Sequence, residues 1–379
     1  MISAPATRDL TATVQVHMTG AEWFADTPGG LNRYFTDLFL ALTELDGVEA
    51  SASAFGDSDL GTAGSDPRAS SWGPTAGSTL SRVWSSLSAD RGLPKSTLID
   101  RHFSLFGRPT LGLRGAHPSV AHFHGPWAAE SAMSGQSDMV VRAKYWVERL
   151  RFLDVRRFIV LSGHSARILT EDYAVDPSAI TVIPPGVDLG RFTVTPAPSI
   201  ARPTVLCVRR LERRMGIDRL IAAWPSVVAE HPDARLVVVG TGTEEAALRR
   251  LAADSPAADS IDFAGRTSDE RLSALYAEAT VSVVPTLSLE GFGLIALESC
   301  ASGRAPIVTD CGGLPDAVAG LDPTLVVPAG DVDALAHRLS TALSGEVPSA
   351  AACRAHAETF SWESSARQHV DLYRELVQR

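Results

Sequence analysis

The sequence predicts an α/β protein made of two doubly wound domains in tandem. Three observations carry that reading. At 379 residues the chain exceeds what one ordinary core encloses. Short apolar runs alternate with helix-period segments along most of it, the pattern of parallel sheets covered by helices. The alternation pauses in a Pro-rich segment, 195–203, and then begins afresh.

The elements follow in order. Residues 11–17 read as a first strand, and Asp26-Thr-Pro-Gly29-Gly30 as a turn feeding an amphipathic helix over 31–45. The stretch 56–94 is rich in Ser, Gly, Asp and Pro and reads as irregular, with a short helix at 81–87. Strands are predicted at 97–100 and 119–123, a long helix at 140–157, and strands at 157–161 and 180–184. The last runs into Pro184-Pro185-Gly186-Val187-Asp188, a turn suited to a linker. In the second half, strands are predicted at 204–208, 235–239, 260–264, 281–284, 305–309 and 324–327. Helices fall between them at 217–229, 244–253 and 269–279, and a further helix follows Phe360-Ser361-Trp362. Asp331 reads as a helix N-cap.

Composition excludes several classes. A formal charge of −10 argues against a general nucleic-acid binder. No apolar run approaches the ~20 residues of a membrane span, and residues 1–9 lack the basic start and apolar core of a secretory signal. Cys207, Cys300, Cys311 and Cys353 show no CxxC pairing, so reduced, buried thiols in a cytoplasmic protein are expected.

One segment carries chemistry. In Ser288-Leu-Glu290-Gly291-Phe292-Gly293-Leu294-Ile-Ala-Leu-Glu298, two glutamates eight residues apart flank a glycine-bearing helix start that follows an apolar strand. At about 1.5 Å per helical residue the carboxylates stand up to ~12 Å apart. Main-chain N–H groups at Gly291, Phe292, Gly293 and Leu294, with the positive end of the helix dipole, suit a diphosphate. One carboxylate remains for hydroxyls at either end, as a nucleotide sugar requires. Glu298 also reads as an ordinary solvated helix residue.

The order of motifs resembles a known family. Gly29-Gly30-x-x-Arg33-Tyr34, Pro184-Pro-Gly-Val-Asp188, Arg210-Leu-x-x-x-x-Gly216, Val239-Gly-Thr-Gly242, Phe263-Ala-Gly-Arg266, Ser288–Glu298 and Gly312-Gly-Leu-Pro-Asp316 precede the Phe-Ser-Trp. From about residue 15 onward this is similar to the family-four retaining glycosyltransferases of GT-B fold. The resemblance implies two Rossmann-like domains facing across a cleft: 1–188 on the acceptor side and 189–361 binding the nucleotide sugar. It also implies that the helix over 362–379 packs back on the first domain, and that domain closure assembles the site.

The resemblance further implies roles. Arg210 would hold the donor diphosphate, Glu298 the ribose hydroxyls, and Glu290 the transferred sugar. His124 would face the sugar, though His122 has the same strand parity and the choice stays open. Gly29 and Gly30 would let backbone approach the phosphates or acceptor. The family pattern Gly-Arg-Leu-x-x-x-Lys-Gly is broken here: Arg209 stands for the first Gly and Met215 for the Lys. Arg214 could replace that lysine only with local backbone adjustment. The donor is a nucleoside diphosphate sugar, the acceptor a hydroxyl on a glycan, lipid-linked or small molecule, and no cofactor or divalent metal is expected.

His122-x-His124 lacks nearby carboxylate or cysteine ligands in sequence, which argues against a metal centre. Asp57-Ser-Asp59 reads as a solvated turn. The basic segment 140–157 reads first as a packed helix with a basic outer face, and second as a peripheral contact with an anionic membrane. Two rivals remain: a phosphorylase-like enzyme on the same fold, and an inactive nucleotide-sugar or glycan-binding protein. The only lysines, Lys95 and Lys144, lie outside the second domain, which disfavours a pyridoxal-phosphate phosphorylase.

Overall fold

The computed structural model describes residues 13–25, 27, 29–57, 66–90, 92–107, 117–133, 135–194 and 202–378. The chain forms two compact units. Unit 1 comprises Met1–Val160, Ala166–Ile183 and Trp362–Arg379, and unit 2 comprises Leu161–Ser165 and Pro184–Ser361.

Unit 1 is built on a seven-stranded parallel sheet: β1 (Val14–Glu22), β2 (Val48–Phe55), β3 (Ala69–Ser71), β4 (Leu98–Arg101), β5 (Ser119–Phe123), β6 (Arg157–Val160) and β7 (Ile180–Val182). Its strand order is β3-β2-β1-β4-β5-β6-β7, every neighbouring pair parallel. Unit 2 holds β8 (Thr204–Val208), β9 (Arg235–Val239), β10 (Ile261–Gly265), β11 (Val281–Val284), β12 (Pro306–Thr309) and β13 (Val326–Val327), in the order β10-β9-β8-β11-β12-β13. Both orders reverse direction once, between β1 and β4 and between β8 and β11. In an open parallel sheet that reversal parts the flanking loops and leaves a crevice beyond the strand ends.

The strand-and-helix expectation holds in both halves. Val205, Cys207, Val238, Val281, Val283 and Ile307 are buried on one side of the unit 2 sheet against Leu220, Trp224 and Val227 of helix Ile217–Glu230. All four cysteines are free and buried. Asp331 caps helix Val332–Leu343, accepting the Ala334 amide at 2.9 Å.

Several expectations need correction. β2, a run of Val-Glu-Ala-Ser-Ala-Ser-Ala-Phe, is absent from the sequence reading because small residues give weak hydrophobic periodicity. Ala50, Ala52, Ser53 and Ala54 are nevertheless all buried. The 56–94 stretch is more ordered than its composition suggests, with β3 and helix Thr79–Ser88 inside it. Ser58 and Asp59 lie outside the described residues, as do Asp26 and Pro28.

The long helix spans Asp138–Phe152, five residues short of its expected end. Arg101 stops it, donating to the Arg151 carbonyl at 2.8 Å and to both Asp154 oxygens at 3.2 and 3.1 Å. The outward face of this helix also differs from the packed reading. Trp146, Leu150 and Leu153 are exposed, while Glu148 is the buried residue, bonded to the Trp127 amide and the Tyr173 hydroxyl. No helix among the described residues is long and apolar enough to cross a membrane.

Candidate active site

In unit 2 the site forms beyond the C-terminal ends of β8 and β11, at the switch point. After β11 the chain passes through Pro285–Gly293 and enters helix Leu294–Ala301. Gly293 caps that helix at φ 99°, and a Cβ there would stand 2.4 Å from the Leu314 side chain. Leu289 is also left-handed, φ 56°, an uncommon state for a non-glycine residue. Arg214 holds it there by donating to the Leu289 and Ser288 carbonyls at 2.6 and 3.3 Å.

The loop after β12 seals the other side. The Gly313 amide donates to the Glu290 carbonyl at 3.0 Å. A Cβ at Gly312 or Gly313 would fall 2.0 Å from the Glu290 carbonyl oxygen or 2.2 Å from that of Gly291. Gly-Gly in Gly312-Gly-Leu-Pro-Asp316 is therefore demanded by backbone lying on backbone. The motif Gly240-Thr-Gly242 works alike, since added Cβ atoms would meet the Arg209 and Leu211 carbonyl oxygens at 1.9 and 2.3 Å.

The amides of Gly291, Phe292 and Gly293 have no hydrogen-bond partner among the described residues, and Leu294 opens the helix. Unspent donors at a helix start make an anion site. The two carboxylates flank it. Glu298 accepts the hydroxyl of buried Tyr276 at 3.1 Å, and that hydroxyl also reaches the Ile295 carbonyl at 3.3 Å. Burial first, and the Glu298 charge second, push the Tyr276 phenol well above its usual value, so it stays a donor. Glu290 is ion-paired with Arg209, which also donates to Thr286 Oγ1 at 2.7 Å. Arg210, two residues beyond the end of β8, is exposed.

In unit 1 a second cluster gathers at the C-terminal ends of β4 and β5. Asp100, fully buried, lies 3.1 Å from His122 Nε2 and 3.4 Å from His102 Nε2, and accepts the Tyr373 hydroxyl. His122 faces the Tyr34 hydroxyl at 3.4 Å, which also faces His369 at 3.4 Å. The His102 and His122 rings stack at 3.8 Å. Burial opposes the Asp100 charge, but His122 and His102 hold its carboxyl well below the usual range. Burial lowers His122 to about 4 against the pull of Asp100, and lowers His369 to about 4 as well.

These contacts separate the two histidines of His122-x-His124. His122 is spent on Asp100 and Tyr34. His124 is half-buried with its ring edge against Tyr34, and its shielded Nε2 has no hydrogen-bond partner among the described residues. Burial, then the like charges of His122 and His102, hold His124 well below its usual value and keep it neutral.

The expected lack of a nearby carboxylate is corrected: Asp100 supplies one, from a strand 22 residues upstream of His122. Nitrogens of His102, His122 and His124 also lie within 4.8 Å of one another, a spacing that could gather a metal ion. Their rings, however, are near-parallel, with interplanar angles of 16°, 14° and 26°. In-plane lone pairs of stacked rings lie in separate planes, so a common ion would need the rings to rotate.

Gly29 and Gly30 open helix Gly30–Thr43. Gly29 has extended backbone, φ 172°, and Cβ atoms at either position would meet nothing within 4 Å. Neither is glycine for the protein's own packing. Sequence reasoning missed Arg209, Thr286 and Tyr276 in unit 2, and Asp100, His102, His369 and Tyr373 in unit 1. Arg209 alone carried a signal, as the residue that breaks the glycine of its motif.

Comparison with known proteins gives the family and the fold. A family model described as "Glycosyl transferases group 1" matches residues 198–360, and one described as "Glycosyltransferase Family 4" matches residues 28–191. A GDP-mannose-dependent monoacylated alpha-(1-6)-phosphatidylinositol monomannoside mannosyltransferase of Corynebacterium glutamicum is 32% identical over 66% of this chain and 68% of its own length. A D-inositol 3-phosphate glycosyltransferase of Acidothermus cellulolyticus is 34% identical, over 58% of this chain and 53% of that protein. A GDP-mannose-dependent alpha-(1-6)-phosphatidylinositol monomannoside mannosyltransferase of Mycobacterium tuberculosis is 36% identical, over 45% and 48%. The match thus spans about half the length of these last two relatives.

Among solved structures, sucrose-phosphate synthase from Thermosynechococcus elongatus superposes with a TM-score of 0.72 at 23% identity, covering 96% of this chain and 99% of that one. Anabaena HepE in complex with UDP gives 0.73 at 17%, covering 96% and 100%. Those two likenesses establish the GT-B fold. Together with the two family models and the Corynebacterium relative, they show that this chain belongs to the group 1, family 4 glycosyltransferases.

Proposed function

We propose that this glycosyltransferase binds a nucleoside diphosphate sugar in unit 2 and transfers the sugar, with retention, to a hydroxyl acceptor without an obligatory divalent metal. The observation that carries the reading is the helix start at Gly291–Leu294, with amides unspent and a carboxylate on either side. The amides and Arg210 take the diphosphate, Glu298 the ribose, and Glu290 a sugar hydroxyl. The bond from the anomeric carbon to the diphosphate breaks, the acceptor oxygen bonds to that carbon, and the acceptor proton passes to the leaving phosphate. Guanidinium and amides carry the charge that a metal would otherwise neutralise. The roles implied for His124, Gly29 and Gly30 belong to the same proposal.

Thermal shift against a panel of nucleoside diphosphates, with EDTA present, tests this. One base at about 100 times its Kd adds ~2.7 kcal/mol of stability. The shift should vanish in Glu298→Ala and Arg210→Ala. If no nucleotide shifts the melt while phosphate or a glycan does, the donor assignment is wrong and a phosphorylase-like or glycan-binding role replaces it.

Two of the relatives are named for phosphatidylinositol mannosides. We propose a lipid-linked acceptor here too, reached at the cytoplasmic face of a membrane. The support is helix Asp138–Phe152, which turns Met139, Trp146 and Leu150 to solvent beside Arg142 and Arg149. Co-sedimentation with anionic but not neutral vesicles, lost in Trp146→Ser/Leu150→Ser, is the expected result; equal recovery with both lipids would end the idea.

A further inference from the structure

Arg209 is 7% exposed, a buried cation in a loop that otherwise presents polar groups to solvent. Its backbone continues the sheet, with its amide on the Val239 carbonyl at 2.9 Å and its carbonyl against Gly240. The side chain therefore has one direction to go, toward the loop after β11. There a single nitrogen, Nη2, does all the bonding: to Thr286 Oγ1 at 2.7 Å, to Met215 Sδ at 2.8 Å and to the Glu290 carboxylate. Nε is shielded from solvent without a hydrogen-bond partner among the described residues. A guanidinium carries five N–H donors, so most of this one's capacity is uncommitted while its charge is held at the donor-side carboxylate. Glu290 meets the charge, and the uncommitted donors remain for a second anion.

The position of the charge is informative. The Arg209 guanidinium lies on the sulfur of Met215, the residue that stands at the lysine of the Gly-Arg-Leu-x-x-x-Lys-Gly pattern this segment resembles. Arg214, the neighbour expected to compensate, is committed to the Leu289 and Ser288 carbonyls and shapes the loop instead. We propose that Arg209 is the second donor-binding cation of this enzyme, delivering from the end of β8 the charge that position 215 has lost, with the thioether of Met215 as its packing platform. Its ligand is the diphosphate of the nucleotide sugar. Glu290 keeps the guanidinium in place before the donor arrives. A bidentate, weakly hydrated guanidinium suits a partly dry phosphate site better than a lysine does.

The inference rests on the donor reading above, and the test separates the two. Calorimetric titration of the full chain would use the nucleoside diphosphate selected by the thermal-shift panel, and the matching nucleoside. Arg209→Gln should weaken the diphosphate at least about tenfold and leave nucleoside affinity within about twofold. Arg209→Gly with Met215→Lys should restore the diphosphate to within about threefold of wild type, while neither substitution alone does. A merely structural arginine would move both ligands together and would not be rescued by a lysine at position 215, two residues before helix Ile217–Glu230. Should Arg209→Gln fail to fold, Arg209→Gly alone and Arg209→Gly with Met215→Lys carry the same comparison. Diphosphate binding unchanged in Arg209→Gln, or a double variant no better than Arg209→Gly, overturns the assignment. A wild-type protein that binds no nucleoside diphosphate overturns the donor reading itself.

Discussion

The two polar clusters are made from different materials. In unit 2 the site is mostly backbone: a left-handed Leu289, a left-handed Gly293, unspent amides, and glycines pressed on carbonyls at 312 and 313. In unit 1 the cluster is side chains drawn from separate segments, with Tyr34, Asp100, His102, His122, His369 and Tyr373 all buried. A backbone site needs particular residues at fixed spacing, because only glycine fits where a Cβ would strike a carbonyl. A side-chain cluster needs only that distant strands and a helix meet. The first kind leaves a motif in the sequence; the second leaves scattered polar residues.

That contrast can be broken most sharply with acid. His122 and His369 have folded pKa values of about 4, below the ordinary histidine value, so they are neutral when folded and protonate first when unfolded. Their contribution is complete above the unfolded pKa, about 6.5, and is lost as pH falls from there toward 4, on the order of 3 kcal/mol for each histidine. Unit 2 contains only Trp224 of the seven tryptophans, so tryptophan fluorescence reports chiefly on unit 1. Its melt should fall steeply across that window, and less steeply in His369→Gln. A pH-independent melt would show that the cluster is not buried neutral.

A smaller effect comes from the carboxylate at the centre. Asp100→Ala leaves His122 and Tyr373 without their acceptor and should cost about 3–5 kcal/mol in urea unfolding. Arg210→Ala, exposed at the unit 2 site, should stay within about 0.5 kcal/mol while abolishing donor binding. Similar losses in both variants would erase the distinction drawn between the two clusters. Smallest of all, Gly30→Ala has room for its Cβ and should match or exceed wild-type stability by up to about 1 kcal/mol. Its turnover should fall if that open space admits substrate; unchanged turnover would remove Gly30 from the site.

The same distinction explains what could be read in advance. Strand–helix alternation was legible because β8, β9, β11 and β12 are apolar runs, and the order of short motifs added the family and its fold. β2 escaped because alternating Ala and Ser looks like a solvated segment until both faces are covered. Glu290 and Glu298 were legible as a spaced pair, but their partners were not: Tyr276 looks like any helix aromatic, and Arg209 shows only as a break in its motif, with nothing to tie it to Glu290. Asp100 and His369 have no local signature at all, since 269 residues separate them. The segment 140–157 reads from its composition as a packed helix, and only the fold shows that Glu148 faces in while Trp146 faces out.

The division of the chain also has a consequence for synthesis. Unit 1 needs helix Trp362–Val377, whose His369 and Tyr373 are fully buried in it, yet unit 2 residues 184–361 are made in between. At ribosomal rates of about 5–20 residues per second, the first sheet waits on the order of 10 seconds for the helix that covers Tyr34, Asp100 and His122. The half encoded second can therefore be finished first. During that interval Tyr34, Asp100 and His122 stay open to water, and their cluster becomes dry only when the last helix is made.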